Sequence, residues 1–584
     1  MQATVEGSQT AQRGGRNNNR HVQPSDQGEL KMSDQNKPLI NTTRRQALGL
    51  FALGASGVVL SGLPVFSRAM AQDKSAKGQL TVGFSQEPTV FNPHMPHIEV
   101  DEGIHFSIFD PLFYVDEKGA FVAALAAEVP TVENGGISAD GLNWKVKLRD
   151  DVKWHDGKPF TAEDVKFTLE LLVDPNFRSW RKTGHEFVRD LSVVSPTEIT
   201  WKMEKPFAPY PSILASTFMT PKHLLGAEAD RNTAAYNNAP VGTGAFKWKE
   251  RVAGDYILLE ANTDYFGDGP HVERLIYKYV PDLNVLYTQF KTGDIDVVGL
   301  QWITPDHYDE AKDLSGKVVN VVPGSTIESL SFNMERPQFK DPAVREALYS
   351  AIDKQSIIEA LYYGLPTPTE SYVPQQSFYY NPDLPKHEYS IEKAKKLLDD
   401  AGWVAGADGV RAKDGVKLAF TCSTTAGNHI REQVQQYMQQ SFKDIGVEMT
   451  ISNLPPAVMW GDYWMLSKFD SVIVGLDFLT GPDPDTSDFF RSTSSPAKGG
   501  SGQNTWQFAN GEVDDLLAKG GSLFVPEERK AVYLKIQEIM RKEMPLLPLF
   551  QYATVRGHKQ GIENVKPNVN TRIDTWNVAT WHLA

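Results

Sequence analysis

From Gln79 onward, short strand signals and amphipathic helix signals succeed one another without either type forming a long run, and that interleaving confines the fold to the α/β class. Trp144, Val146 and Leu148 alternate with Lys145, Lys147 and Arg149, the period-2 pattern of a strand with one face in a core. A helix is expected from Thr161, whose hydroxyl and a carboxylate three residues on would satisfy free amide donors, with Val165, Leu169 and Leu172 as its buried stripe. Further strands are expected at 79–84, 257–260, 275–280, 295–298, 318–322 and 447–451. Asp341 and Pro342 open a long helix with Val344, Leu348 and Ile352 on one face, running to a break at Gly364. Two more helices run from Ser390 to Gly402 and from Ile430 to Ile445. At 584 residues the chain exceeds what one core organises, so at least two lobes are expected.

Residues 1–71 read as an address, not as fold. The first forty are polar and without apolar period. Arg44-Arg45 then leads into an uncharged apolar stretch over 47–66, followed by Ala69-Met70-Ala71, the small-x-small pattern of a signal-peptidase site. The arginine pair resembles a twin-arginine export signal, although Ala47 and Gly49 stand where that pattern prefers Phe and Lys. About 20 apolar residues can span a bilayer, so a retained anchor is the alternative. Four glycines in the stretch and the adjacent cleavage site favour removal, with a mature chain starting near Gln72 in the periplasm and no stable membrane insertion.

The charge balance, 59 Lys+Arg against 73 Asp+Glu, gives a net charge of −14, which disfavours nucleic acid and anionic lipid as partners. The single cysteine, Cys422, excludes an internal disulfide, a zinc ribbon and a CxxC redox pair, and reads as a small buried hydrophobe. Catalytic and cofactor signatures are absent: there is no phosphate loop, no HExxH and no complete GxSxG, and no cofactor or resident metal is expected. His94 and His97 are three apart, but Pro93 and Pro96 interrupt any helix there, so they are expected to be surface histidines. The densest carboxylate cluster is Asp477, Asp483, Asp485 and Asp488. Asp485 and Asp488 fit turn chemistry. Asp477 ends the apolar run 472–476, where a strand opening onto a loop is well placed to meet a cation.

Long ordered stretches carry a family resemblance. They include Trp144 through Val165, Pro240-Val241-Gly242-Thr243-Gly244-Ala245-Phe246, Asn262-Thr263-Asp264-Tyr265-Phe266, Gly293-Asp294-Ile295-Asp296, Phe332-Asn333 and Val344-Arg345-Glu346-Ala347-Leu348. In these the chain resembles family 5 of the bacterial extracellular solute-binding proteins, the peptide, nickel and opine receptors of ABC importers. The resemblance implies a bilobal periplasmic-binding-protein fold with two hinge strands and a discontinuous first lobe. The expected division is 72–323 for the first lobe, 324–550 for the second and 551–584 for the return, with crossovers near Pro323 and Gln551.

The implied function is a monomeric periplasmic receptor that captures an amine-containing solute, a peptide or opine-like conjugate, for an inner-membrane ABC permease. Asp477 is the expected amine anchor, since family members often carry an aspartate there. Trp460 stands where members often set an aromatic against the ligand, with core packing as its alternative. Gln301 and Trp302 follow the 295–298 strand and are expected at the cleft mouth, and Glu87 and Asp483 are further candidate carboxylates. Dipeptide receptors of the family place an Arg just before the 430–445 helix, and none occurs here before Arg431, which disfavours a tight dipeptide site. The alternative from another class is a secreted hydrolase, a glycosidase or peptidase, pairing Asp477 with Glu87 or Asp483.

Overall fold

The computed structural model describes residues 76–571 and 573–584. The export signal read from residues 1–71, its Arg44-Arg45 pair included, lies outside the described residues. Ten strands build the main sheet: β1 (Gln79–Phe84), β2 (Phe246–Val252), β3 (Tyr256–Ala261), β4 (Arg274–Tyr279), β5 (Val297–Ile303), β6 (Lys317–Phe332), β7 (Ala419–Ser423), β8 (Glu448–Ile451), β9 (Ser471–Leu476) and β10 (Leu546–Lys559). Their order across the sheet is β8-β7-β9-β6-β10-β5-β1-β4-β3-β2, and the two-residue strand Thr367–Pro368 adds to β10. A separate three-stranded sheet is formed by Asn143–Lys147, Glu198–Met203 and Val188–Ser195.

The middle of the main sheet is the long antiparallel pair β6 and β10. Its register runs from Lys317 opposite Lys559 to Ser331 opposite Leu546, and it breaks between Pro323 and Ile327. On one side of the break β10 pairs with β5, Val297 facing His558. On the other side β6 pairs with β9, Ile327 facing Leu476. The three residues in the break are Gly324, Ser325 and Thr326, which offer the backbone freedom and hydroxyl groups of a loop in place of apolar side chains.

The buried apolar side chains sort in the same way. Three clusters draw their buried residues from 80–311 and 555–581, and two draw theirs from 327–550. Trp144, Trp154 and Trp201 centre one of the first set, and Phe332, Phe442 and Leu547 belong to one of the second. Fully burying one large apolar side chain contributes about 1.5–3 kcal/mol, so either set is large enough to hold its own elements together. Trp154 and Phe167, both within or beside family-like stretches, are core residues here.

Helices cover these cores: α1 (Glu99–Ile108), α2 (Ala162–Val173), α3 (Pro342–Ser350), α4 (Lys354–Leu361), α5 (Ile391–Asp400), α6 (His429–Asp444), α7 (Gly511–Gly520) and α8 (Pro526–Glu543). At the start of α2 the Thr161 N–H donates to Asp164 Oδ2 at 2.9 Å, and Val165, Leu169 and Leu172 are buried. Ser390 caps α5, its hydroxyl accepting from the Lys393 N–H at 3.1 Å.

Two expectations need correcting. The long helix expected from Asp341 to Gly364 is two helices, because Asp353 accepts from the Ser356 N–H at 3.0 Å and so caps a new helix, α4. Gln301 and Trp302 do not follow a strand but lie inside one. β5 continues to Ile303 through a register shift, and Trp302 takes a φ of +48° within it.

Candidate functional site

Asp477 is the residue directly after β9, a strand buried along Ser471–Val474 because Val472 and Val474 pack in one core and Ile473 in another. Its Oδ1 accepts from Ser325 Oγ at 2.6 Å and from Thr326 Oγ1 at 3.1 Å. Both hydroxyls belong to the break in β6, so the irregular stretch of the central ladder and the end of β9 meet at this carboxyl group. Ser325 also lines a small polar cavity with Gln376, Ser377, Gly481 and Asn570.

That cavity shares Leu479, Gly481 and Asn570 with a larger chamber, open to solvent, whose cavity volume is about 160 Å³. One wall of the chamber carries His94, His97, His105, Phe106, Trp180 and Phe218, and the loop Leu479–Pro482 forms the other. A small chamber therefore lies between residues of the two sets of cores, with aromatic rings on one wall, and the adjoining cavity reaches Ser325, which donates to Asp477. The lining mixes histidines and hydroxyl groups with aromatic rings, so a solute held there would meet both apolar faces and orienting polar groups.

The histidines, expected at the surface, are not there. His94 is buried and the His97 side chain is only 5% exposed, because the turn that Pro93 and Pro96 impose folds both inward instead of into a helix. The His97 ring lies 5.1 Å edge-on from His105 and 5.0 Å from Trp180. Burial pushes His94 down to about 4 and His105 to about 3, so both are neutral near pH 7. Burial also opposes the charge on His97, but the Glu102 carboxylate at 3.2 Å and the Met95 carbonyl outweigh it and raise its pKa. Among the described residues, no group of three or more His, Cys, Asp or Glu is arranged to hold a metal ion.

The other candidates are placed as follows. Glu87 accepts from Arg251 at 2.6 Å and from the Gly254 N–H at 3.0 Å, which ties it to the β2–β3 hairpin. The Gly254 N–H holds its carboxyl below the usual range; burial opposes this, and Arg251 adds to the lowering. Asp483 is 4% exposed, with both oxygens on Arg529 at 2.5 and 2.9 Å. Both carboxylates that the hydrolase alternative would pair with Asp477 are thus engaged in ion pairs. Trp302 is half-buried: its Nε1 donates to Asp574 at 2.6 Å, the Arg556 guanidinium lies 5.3 Å over its ring, and Arg556 pairs with Asp574. Gln301 is placed only by its backbone, in β5. Trp460 is 39% exposed and lies edge-on to the buried Trp464, with centroids 5.6 Å apart.

One feature of the site has no sequence signal. Glu328, in β6, is 1% exposed and accepts from Arg431 Nε at 2.6 Å and Nη2 at 2.8 Å, with the Tyr552 hydroxyl donating at 3.0 Å. The pair leaves no room for a side chain at residue 475, where a Cβ would lie 2.8 Å from Glu328 Oε2 and 2.9 Å from Arg431 Nη2. Residues 328 and 431 are over a hundred apart, and neither stands in a motif. Arg431 is thereby committed to Glu328 and not held out for a ligand carboxylate. Cys422 is buried, and that burial pushes its thiol up to about 11, far from a nucleophile at neutral pH.

Comparison with known proteins gives consistent matches. The sequence profile described as "Bacterial extracellular solute-binding proteins, family 5 Middle" matches residues 120–500, well over half of the chain. The chain is 29% identical over 566 residues to the oligopeptide-binding protein AppA of Bacillus subtilis, covering 93% of this chain and 100% of that protein. The structure of that AppA in complex with a nonapeptide matches with a TM-score of 0.69, 29% identity, and 87% and 99% of the two chains covered. NikZ from Campylobacter jejuni, in complex with Ni(L-His), matches with a TM-score of 0.71 and 27% identity over 86% of this chain and 99% of that one.

Proposed function

The chain belongs to family 5 of the bacterial extracellular solute-binding proteins, and from that membership we propose a periplasmic receptor that captures an amine-containing solute and delivers it to an inner-membrane ABC permease. The observation that carries the reading is Asp477, held by Ser325 and Thr326, with Ser325 lining a cavity that adjoins the chamber between the two sets of cores. A peptide is the leading solute class, since AppA is named for oligopeptides and its structure holds a nonapeptide. An opine-like conjugate or a small chelate, in view of the Ni(L-His) bound to NikZ, is the remaining range.

The proposed architecture is bilobal. Residues 72–323 and 551–584 make the first lobe and 324–550 the second, with β6 and β10 as the two hinge strands. The register break between Pro323 and Ile327, opposite Ala553 and Gln551, supports hinges at these points, and so does the sorting of the cores. Closure would bring Asp477 and the aromatic wall onto one solute and desolvate the amine contact, and release would follow reopening. Trp460, Gln301 and Trp302 are proposed to contribute at the rim. Glu87 and Asp483 are reassigned from ligand contacts to structural ion pairs.

The test is a thermal-shift and calorimetry panel on the chain purified from residue 72, using peptides of graded length, an opine, oligosaccharides and the nickel–histidine complex. A solute at about 100 times its Kd adds about 2.7 kcal/mol to stability. One-to-one binding of an amine-bearing solute, recovered unchanged, is the expected result. Hydrolysis of a peptide or oligosaccharide by the purified protein would overturn the receptor reading.

A further inference from the structure

A second connection between the two sets of cores lies away from the solute chamber. The loop that joins α7 to α8 reaches across to the three-stranded sheet: the Gly521 carbonyl accepts from the Ala208 N–H at 2.8 Å, and Phe524 packs against the core that holds Trp144. The Phe524 ring sits edge-on to Trp144 with centroids 6.5 Å apart, and it packs directly against residue 141. Only glycine fits there, since a Cβ at Gly141 would fall 2.1 Å from the ring. The socket is held from behind by Trp144 Nε1, which donates to the Gly141 carbonyl at 3.1 Å.

The same loop is tied to the chamber. Gly520, one residue before the bridging carbonyl, accepts through its own carbonyl from Arg529 Nε at 2.9 Å. Arg529 holds both oxygens of Asp483. Asp483 directly follows Pro482, which lines the chamber and lies against Gly119, where an added Cβ would be 3.6 Å from the proline ring. A single buried ion pair therefore fixes two loops at once, one over the solute space and one in the Gly141 socket. A buried pair with all its oxygens and N–H groups engaged sets geometry more than it adds stability.

We propose that Phe524 and Gly521 form a clasp that holds the closed form, with Asp483–Arg529 as the brace that links it to the loop over the solute. The inference rests on the two-lobe reading, and its test separates the two. Cys422 is fully buried, so cysteines placed at exposed Ser192 and Lys395 take spin labels selectively, and electron–electron distance measurements report the separation of the lobes. Phe524→Ala removes the ring. It is expected to raise the population at the longer distance by about tenfold, with Phe524→Leu intermediate. Gly141→Asn, which tolerates a positive φ, wedges the socket and is expected to open the clasp as well.

If Gly141→Asn lengthens the distance and Phe524→Ala leaves it unchanged, the lobes move and the clasp is wrong. If every variant and the parent share one narrow distance, the two-lobe motion fails, and the clasp with it. For the brace, hydrogen exchange in Asp483→Asn is read at residues 521–525 relative to those of β1. Faster exchange in the loop alone is expected, and unchanged exchange there overturns the role given to the pair.

Discussion

Asp477 is the residue at which sequence and site geometry meet most directly. An apolar run ending in a carboxylate is legible in the sequence by itself, because β9 is buried along Ser471–Val474 and its end must emerge somewhere. The hydroxyls that orient it are not legible, since Ser325 and Thr326 lie some 150 residues away in an irregular stretch of β6. The paired charge makes a sharp prediction. Truncating one partner of a desolvated charge pair costs about 2–5 kcal/mol, whereas Asp477→Asn keeps size and most hydrogen bonding. That variant is expected to weaken binding of an amine-bearing solute by about tenfold or more, about 1.4 kcal/mol, with an unchanged circular-dichroism spectrum. The matched control is Asp488→Asn, at an exposed position. Asp485 is unsuited as a control, because burial raises its pKa and its Oδ1 accepts from both the N–H and hydroxyl of Ser487. Equal affinities for Asp477→Asn and the parent by calorimetry would remove the amine-anchor assignment.

At the scale of elements, what the sequence makes legible is whatever local chemistry decides. Thr161, Asp341 and Ser390 each mark a helix start because a cap is satisfied within three residues. Trp144, Val146 and their alternating lysines mark a strand because one face is buried. The failures are non-local or competitive. Asp353 reads as an ordinary residue on a long helix, yet it out-competes helix continuation by capping α4. The inward turn depends on His97 packing against Trp180 and His105 and on the His94 carbonyl accepting from the Trp180 N–H, which no local pattern reports. The two caps allow a comparison. Among the described residues, Asp353 accepts from Ser356, through its N–H and hydroxyl. Asp341 accepts from the Ala343 N–H and also from Trp403 Nε1 at 3.1 Å and Lys413 Nζ at 3.0 Å. Asp353→Ala is therefore expected to cost about 1 kcal/mol in urea unfolding, and Asp341→Ala about twice that. The reverse order would show that the helix break is set by packing and not by its cap.

For the whole molecule, the most consequential legacy of this packing is a set of histidines kept neutral. Burial pushes His94, His155 and His387 down to about 4, and His105 and His185 to about 3. In an unfolded chain each would titrate near 6.5. Between these values the unfolded state binds protons that the folded state refuses, so the stability these groups contribute is complete above about pH 6.5 and is lost as pH falls toward 4. Each such group contributes a slope of about 1.4 kcal/mol per pH unit within its window. Asp110 works in the opposite direction, its buried carboxyl raised to about 6, so the fold takes up that proton before the unfolded chain does. His97 does not add to the loss: its raised pKa gives stability that is fully present below 6.5 and disappears only at higher pH. Burial raises Asp164, Glu186 and Asp485 in the same direction as Asp110 and lowers His558 like the other histidines; between pH 7 and pH 5 the deeply lowered histidines dominate and leave a net acid sensitivity that the acidic overall composition alone would not suggest. The urea midpoint is expected to fall steeply from pH 7 to pH 5. In His94→Leu the unfolding free energy from the same urea curves should fall less, by about 1 kcal/mol per pH unit averaged over this range, whatever the variant's stability at neutral pH. A midpoint that is level across this range, or a slope untouched by the substitution, would mean that water or a rearranged chamber lets these rings protonate without unfolding.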